Sequence, residues 1–284
     1  MVICNLKGGL GNQMFQYATA RAIANNRHQI FIDLSFLEKN NTSIGSFTAR
    51  KFELNLFENI RFKFISHVAL KFHLSNHRIL KVLRMLLRYK KIYVINDENE
   101  HYQDGHDIIY LDGYFQNPLL FKSIRNVLLK DFTFPKLPEN TNDLAKLIET
   151  KSAVSIHVRR GDYLNPENNN YHGVLPISYY KSAVEKMIEL NKDACFFIFS
   201  DDGEWCELNF SFIKKEKYFI SDRNNHSWTD MKLMTLCKHF IIANSSFSWW
   251  GAWLSQHYSK TVIAPKNWYK NEKSKIIPKE WITL

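Results

Sequence analysis

The sequence predicts an α/β protein built on parallel sheet, and three observations carry that prediction. In the second half, short apolar runs rich in Ile, Val and Phe alternate with stretches of helical spacing, the pattern of successive βαβ units. At the start, an apolar run at 2–6 meets a glycine-rich turn at 7–13 and then a helical stretch. Third, three apolar runs of the second half end in polar clusters, at 157–162, 200–202 and 244–246. In a parallel sheet those strand ends share one edge, and open α/β sheets bind their ligands beyond that edge.

Taken in order, Val2-Ile3-Cys4-Asn5-Leu6 reads as a strand. The turn Lys7-Gly8-Gly9-Leu10-Gly11-Asn12-Gln13 follows, then a helix over 14–24. Strand, glycine turn and helix can aim backbone N–H groups at an anion or a sugar. The turn is neither the dinucleotide G-x-G-x-x-G nor a P-loop, because no G-K-[ST] follows. The carboxamides of Asn12 and Gln13 suit sugar hydroxyls. A second strand is expected at 29–34, and 35–65 gives no clear pattern. Spacing predicts a helix over 70–91, with Arg78, Lys81, Arg84, Arg88 and Lys91 on one face. Ile79, Leu83 and Leu86 share another face, with Leu80 and Leu87 beside it. Two readings stay open: an ordinary helix with a solvated cationic face, or a basic amphipathic helix lying on anionic lipid. Strands are expected at 92–95 and 108–111, and the second runs into Asp112-Gly113-Tyr114-Phe115-Gln116-Asn117. Such a cluster is either a turn with a core aromatic or a sugar contact through ring faces and amides. A helix is expected over 118–130.

Residues 132–142 carry two prolines and a polar run and form the linker, giving domains 1–140 and 141–284. The strand at 153–156 then leads into His157-Val158-Arg159-Arg160-Gly161-Asp162-Tyr163. Adjacent guanidinium groups at a strand end match phosphate oxygens, Gly161 allows a turn, and Asp162 can orient an arginine or a hydroxyl. This stretch is the candidate diphosphate site. The Asn-rich segment 165–173 is expected to be a mobile loop over it, followed by a helix over 177–190. A strand at 194–199 ends at Ser200-Asp201-Asp202-Gly203, whose carboxylates would bond ribose hydroxyls or the arginines, or cap the next helix. A short strand at 218–220, a helix over 230–238 and a strand at 239–243 lead into Asn244-Ser245-Ser246-Phe247-Ser248-Trp249-Trp250-Gly251. A helix start with serines again offers donors to phosphate, whereas the tryptophans at helical spacing read as core.

Composition narrows the class. With 45% apolar and 23% charged residues, the 284-residue chain can bury a core in one large or two medium domains. It has no signal-peptide pattern and no apolar run of about eighteen residues, so a cytoplasmic, non-spanning protein is expected. Cys4, Cys195, Cys206 and Cys237 lack metal-type spacing, and Cys4 and Cys195 read as packing residues. The formal charge of +10 admits a nucleic acid, an anionic lipid surface or a phosphorylated substrate. Nucleic acid ranks last, because no recognition signature for it is present. No D-x-D, H-E-x-x-H, G-x-S-x-G or C-x-x-C occurs, so no metal site or metal cofactor is expected.

Four blocks, in order, resemble the signatures of bacterial α-1,2-fucosyltransferases, glycosyltransferase family eleven. They are Gly8-Gly9-Leu10-Gly11-Asn12-Gln13-Met14-Phe15-Gln16-Tyr17-Ala18, His157-Val158-Arg159-Arg160-Gly161-Asp162-Tyr163, Phe199-Ser200-Asp201-Asp202 and Asn244-Ser245-Ser246-Phe247-Ser248-Trp249-Trp250-Gly251. Residues 35–110 carry no such block. The resemblance implies a GT-B fold, two Rossmann-like domains facing across a cleft. It implies inverting, metal-independent transfer from GDP-fucose to O2 of a terminal β-galactoside, on an O-antigen or related surface glycan. The first half would carry most of the acceptor site and the second half the donor site.

The resemblance also distributes roles. Arg159 would hold the β-phosphate, His157 would lie near the nucleotide, and Asp230 would hold the guanine. Ser245 and Ser246 would bind the phosphates, and Asn12 would reach the sugar and diphosphate from the other domain. Gly11, Arg160, Asp202 and Asn244 complete the expected nucleotide-sugar set, and Gln13, Tyr114 and Gln116 the acceptor set. Asp162 and His157 are the positional candidates for a general base. Two rival readings stand beside this one: a GDP-sugar transferase acting on a protein hydroxyl, and a non-catalytic nucleic-acid binder using the basic surface.

Overall fold

In the computed structural model, which describes residues 1–75, 77–86, 92–99, 108–220, 226–270 and 274–284, the apolar runs become two parallel sheets. Each sheet belongs to its own unit, Met1–Thr133 and Phe134–Leu284. These are the two parallel α/β layers that the GT-B resemblance implies. The division falls inside the proline-bearing linker, ahead of 140/141, and Lys232 of the second unit donates to the carbonyl of Pro135 at 2.5 Å.

The first unit contains β1 (Val2–Asn5), α1 (Leu10–Ala24), β2 (Ile30–Asp33), α2 (Ser35–Lys39), β3 (Lys63–Phe64), α3 (His67–Leu74), α4 (Arg78–Leu86), β4 (Ile92–Ile95), β5 (Ile108–Leu111) and α5 (Arg125–Asp131). Its strands lie in the order β3-β2-β1-β5-β4. All four residues of β1 and of β5 are buried, which is why both read as unbroken apolar runs. The chain steps outward from β1, crosses to the far edge, and returns to pair β5 with β1. The order reverses between β1 and β5.

The second unit contains α6 (Asn142–Thr150), β6 (Ser152–Val158), α7 (Pro166–Tyr171), α8 (Ile177–Leu190), β7 (Ala194–Ser200), α9 (Gly203–Asn209), β8 (Lys217–Ile220), α10 (Ser227–Leu236), β9 (His239–Ile241), α11 (Ser246–Leu254), β10 (Val262–Ala264) and β11 (Ile282–Thr283). The order β11-β10-β9-β6-β7-β8 is the doubly wound 3-2-1-4-5-6 arrangement, reversing between β6 and β9. The helix expected at 177–190 forms as read. Tyr180, Ala183, Val184 and Met187, at helical spacing, bury against Val154, Ile156, Phe196 and Ile198 of the sheet. Trp249 and Trp250 are wholly buried core residues, and Trp249 Nε1 donates to the carbonyl of Ile276 at 2.7 Å. Cys4 and Cys195 are buried packing residues, as read.

Three expectations are corrected. The single helix over 70–91 is two helices: Ser75 takes an extended conformation at ψ 136°, ends α3, and accepts from the N–H of His77. Leu87, Arg88 and Lys91 of that expected helix lie outside the described residues. The helix over 118–130 is two 3₁₀ turns, Pro118–Leu120 and Lys122–Ile124, followed by α5. Phe121 breaks it at φ −137°, burying its ring edge-on to Phe15 at 5.8 Å. Segment 165–173 is largely helical, because Asn165 caps the N–H of Glu167 at 3.2 Å and Pro166 opens α7. Among the described residues no helix is long and apolar enough to cross a membrane.

Candidate active site

The strand order places the chemistry of the second unit. Ligands of open α/β sheets bind beyond the strand ends where the order reverses, and there β6 delivers His157, Arg159 and Arg160 beside the end of β9. The register of β6 with β7 sets Val158 opposite Ser200, so the two arginines leave their strand against Asp201 and Asp202. Arg159 is held from two sides, by Asp162 Oδ1 at 2.6 Å and by Asp201 Oδ2 at 2.8 Å, over the ring of Tyr163 at 5.6 Å. A quarter of its side chain remains exposed, so the guanidinium is both fixed and reachable. Arg160 turns to Asp202 at 3.0 Å and lies on the Trp205 ring at 4.0 Å, while its N–H donates to Asp201 at 2.9 Å. Gly161 makes this possible, since a Cβ there would come within 2.5 Å of Asp201 Oδ2.

Across the reversal, Ser245 caps α11 by accepting from the N–H of Phe247 at 3.3 Å, and Ser246 opens the helix half-buried. No acidic residue stands in that first turn, so the positive end of the helix is uncompensated by its own side chains. His157 ties the two sides together, its ring 5.7 Å from that of Phe247. Burial, then the charge of Arg159, pushes the imidazole down to a pKa of about 3, and its Nδ1 is buried without a partner among the described residues. His157 is therefore a neutral ring and a poor proton acceptor.

Asn244, expected at the nucleotide sugar, has its amide nitrogen engaged by the protein backbone. It is 2% exposed, and its Nδ2 donates to the carbonyls of His172, Gly173 and Trp268 at 2.7, 3.1 and 3.3 Å. That amide holds the segment after α7 in place and has no hydrogen left for a nucleotide. Tyr163 adds a second tie, donating to the Asn244 carbonyl at 3.1 Å and stacking on His172 at 4.6 Å. Asp230 lies in the first turn of α10, the helix before β9.

The first unit has its own cluster where β1 and β5 end. Asp112 accepts from Asn5 at 3.0 Å and pairs with Lys7 at 2.6 Å. Asn12 and Gln116, expected on different substrates, are brought together: Gln116 Nε2 donates to Asn12 Oδ1 at 2.8 Å. Asn12 lies over Gly8, which adopts φ +72° and leaves no room for a Cβ. Tyr114 is 40% exposed beside them, in a turn held by Asp97, which accepts from the N–H groups of Tyr114 and Phe115 at 2.8 and 2.6 Å.

Gln13 and Gly11 sit behind this surface. Gln13 is wholly buried, donates to the carbonyls of Gly8 and Lys51, and accepts from the N–H of Glu53. It closes the glycine turn, with its amide bonded to backbone on both sides. Gly11 is buried in the first turn of α1. The start of α1 is not an open anion site either. Glu53 takes the Leu10 N–H at 2.9 Å, and those of Asn12 and Gln13 return to Gly9.

Of the two readings left open for the carboxylates at 201–202, bonds to the arginines are formed, though Asp201 was not singled out as the second clamp on Arg159; Lys7, Glu53 and Asp97 in the first unit were missed. Asp201 and Asp202 are neighbours, so only the strand register tells them apart. Lys7 and Asp112 are far apart in sequence and meet only because β1 pairs with β5. Nothing in the chain marked Glu53 or Asp97.

Comparison with known proteins gives the family. A family model described as "Glycosyl transferase family 11" matches residues 1–284. The chain is similar to "O-antigen biosynthesis glycosyltransferase WbnK" of Escherichia coli, 34% identical, with 98% of this chain and 99% of that protein covered. It is also similar to "Alpha-1,2-colitosyltransferase" of Escherichia coli, 32% identical, with 100% and 99% covered. "Galactoside alpha-(1,2)-fucosyltransferase 1" of Leontopithecus chrysomelas is 29% identical over 55% of this chain and 46% of that protein. With a family match along its full length, the chain is a member of glycosyl transferase family 11.

Proposed function

We propose that this glycosyltransferase moves L-fucose from GDP-β-L-fucose to O2 of a terminal β-galactose on an O-antigen or related surface glycan, with inversion and without a metal ion. One observation carries the reading: Arg159, clamped between Asp162 and Asp201 where β6 ends at the reversal of strand order. A fixed, always-charged fork is suited to the charge that develops on a departing diphosphate. The serines and the uncompensated start of α11 suit the other phosphate oxygens. The named relatives that act through α-1,2 linkages support the position of transfer.

In this scheme galactose O2 attacks fucose C1 from the face opposite GDP. The C1–O bond to the diphosphate breaks ahead of bond formation, and its electron pair leaves with GDP. Arg159 neutralises the leaving oxygen. The O2 proton departs late, once the sugar cation has developed, and passes to solvent water, so no strong base is needed. Asp162 is committed to Arg159 and works as its positioning residue, and His157 is too weakly basic for the task. The Asn12–Gln116 pair, Tyr114 and Asp112 form the surface proposed for the acceptor. A second reading keeps this chemistry and changes the sugar to colitose, which lacks the 3-hydroxyl of fucose; the colitosyltransferase relative favours it.

Incubation with GDP-fucose or GDP-colitose, a panel of β-galactosides and a chelator, with the linkage read by NMR, separates the two. The expected product is the α-1,2-fucoside. Arg159→Ala should lower kcat by about 10²- to 10³-fold with the thermal midpoint unchanged. Wild-type turnover in that variant, or transfer that requires a divalent cation, would overturn the reading.

A further inference from the structure

The helix α4 breaks the rule that an amphipathic helix turns its apolar stripe to the core. Ile79, Val82, Leu83 and Leu86 stand at i, i+3, i+4 and i+7, and all four face solvent, 64%, 50%, 41% and 71% exposed. No residue of α4 is buried, and only Leu80 and Arg84 are half-buried. The helix is not loosely hung. The preceding α3 packs Leu70 and Leu74 against the core that contains Ile3, Ile108 and Tyr110. Arg84 donates to the carbonyls of His73 and Ser75 at the end of α3, which fixes the angle between the two helices. Thus α3 is the root and α4 the displayed element. The sequence about it is strongly one-signed. Between Arg61 and Leu86 the sequence holds six Lys and Arg and no Asp or Glu; at helical spacing Arg78 borders the exposed stripe beside Val82, and Lys81 lies further round the helix on the same side as Arg78.

We infer that α4 is a surface anchor that docks the chain on a bilayer of anionic phospholipid. Ile79, Val82, Leu83 and Leu86 enter the acyl boundary, and Arg78 and Lys81 sit at headgroup level. Cations beside an apolar stripe on an exposed helix are the pattern that lies in a membrane interface, where buried apolar area and attraction to anionic headgroups act together. Two other occupants fit worse. A nucleic acid would meet the cations but leave the apolar stripe wet, because that stripe carries neither hydrogen-bonding groups nor aromatic rings. A second copy of the chain, packed about a two-fold axis, would bring like-charged segments face to face. The inference does not depend on which sugar is transferred.

The test is sedimentation of the full chain with vesicles of phosphatidylglycerol and phosphatidylcholine, against phosphatidylcholine alone. Two double variants accompany it, Ile79→Glu with Leu86→Glu, and Arg78→Glu with Lys81→Glu. Every altered side chain is exposed, and each variant is checked for an unchanged thermal midpoint and unchanged transfer to a soluble acceptor. Expected is binding that needs phosphatidylglycerol, weakens with salt, and falls by roughly tenfold or more in both variants. Three results would overturn the inference: no vesicle binding by the unaltered chain; equal binding by the variants; or loss of a dimer or of RNA binding in the variants without any vesicle binding.

Discussion

At the residue scale the site depends on a missing side chain. Gly161 lets the carboxylate of Asp201 approach the turn closely enough to hold Arg159 Nη1 while accepting from the Arg160 N–H. Gly161→Ala should push that carboxylate off Arg159, lowering kcat/KM by about tenfold with little change in stability. Steady-state kinetics beside a denaturant curve would check both halves of that statement. Arg159, Arg160 and His157 were legible because charged and polar groups are unusual at the end of a buried strand. Which aspartate holds which arginine was not legible, because adjacent identical residues differ only in the face of the chain on which they emerge. Gln13 and Asn244 were read as ligands from their chemistry. Their burial shows that the same amides serve the protein backbone.

At the scale of elements, α7 lies beside the arginine clamp and is fastened from its middle and just beyond its end. Asn168 Nδ2 donates to the carbonyl of Asp162 at 3.0 Å, and Asn244 takes the carbonyls of His172 and Gly173. Asn244→Ala would leave buried carbonyls without a donor and should cost about 1–3 kcal/mol. It should also speed hydrogen exchange through 166–173. Unchanged exchange there would show that the segment is held by other contacts. This element was invisible in the sequence because an Asn-rich stretch lacks the apolar period that marks a helix. Its cap and proline supply the start instead. The opposite error arose over 70–91, where one continuous period concealed two helices. The break at Ser75 is made by side-chain and carbonyl bonds, which hydrophobic spacing cannot register.

At the scale of the molecule, both parallel sheets were foreshadowed by strand-length apolar runs, and the linker by its prolines. The order of the first sheet was not, because it depends on crossovers through 35–65, where the sequence has no clear period. The fold also carries a pH dependence. Burial lowers the pKa values of His73, His157, His172 and His239. Below about pH 6.5 the unfolded chain takes up protons that the native chain refuses, so stability is full above that pH and is lost on acidification. For His157, with a folded value of about 3, the loss between pH 6.5 and 4.5 is about 2–3 kcal/mol. Denaturant unfolding at several pH values should show a shallower acid decline in His157→Gln than in the wild type. Parallel declines would mean that His157 titrates normally in the native state.

The arginine clamp also bears on which anions the protein notices at all. Asp162, Asp201 and Asp202 already hold the guanidinium groups of Arg159 and Arg160. A passing chloride or orthophosphate would have to compete with a tethered carboxylate and bring no other grip of its own. A larger guest, with a ring system and hydroxyls to seat elsewhere, can sustain that exchange. The expected consequence is competition by the protein's own acidic residues that weighs more against small anions than against a nucleotide sugar.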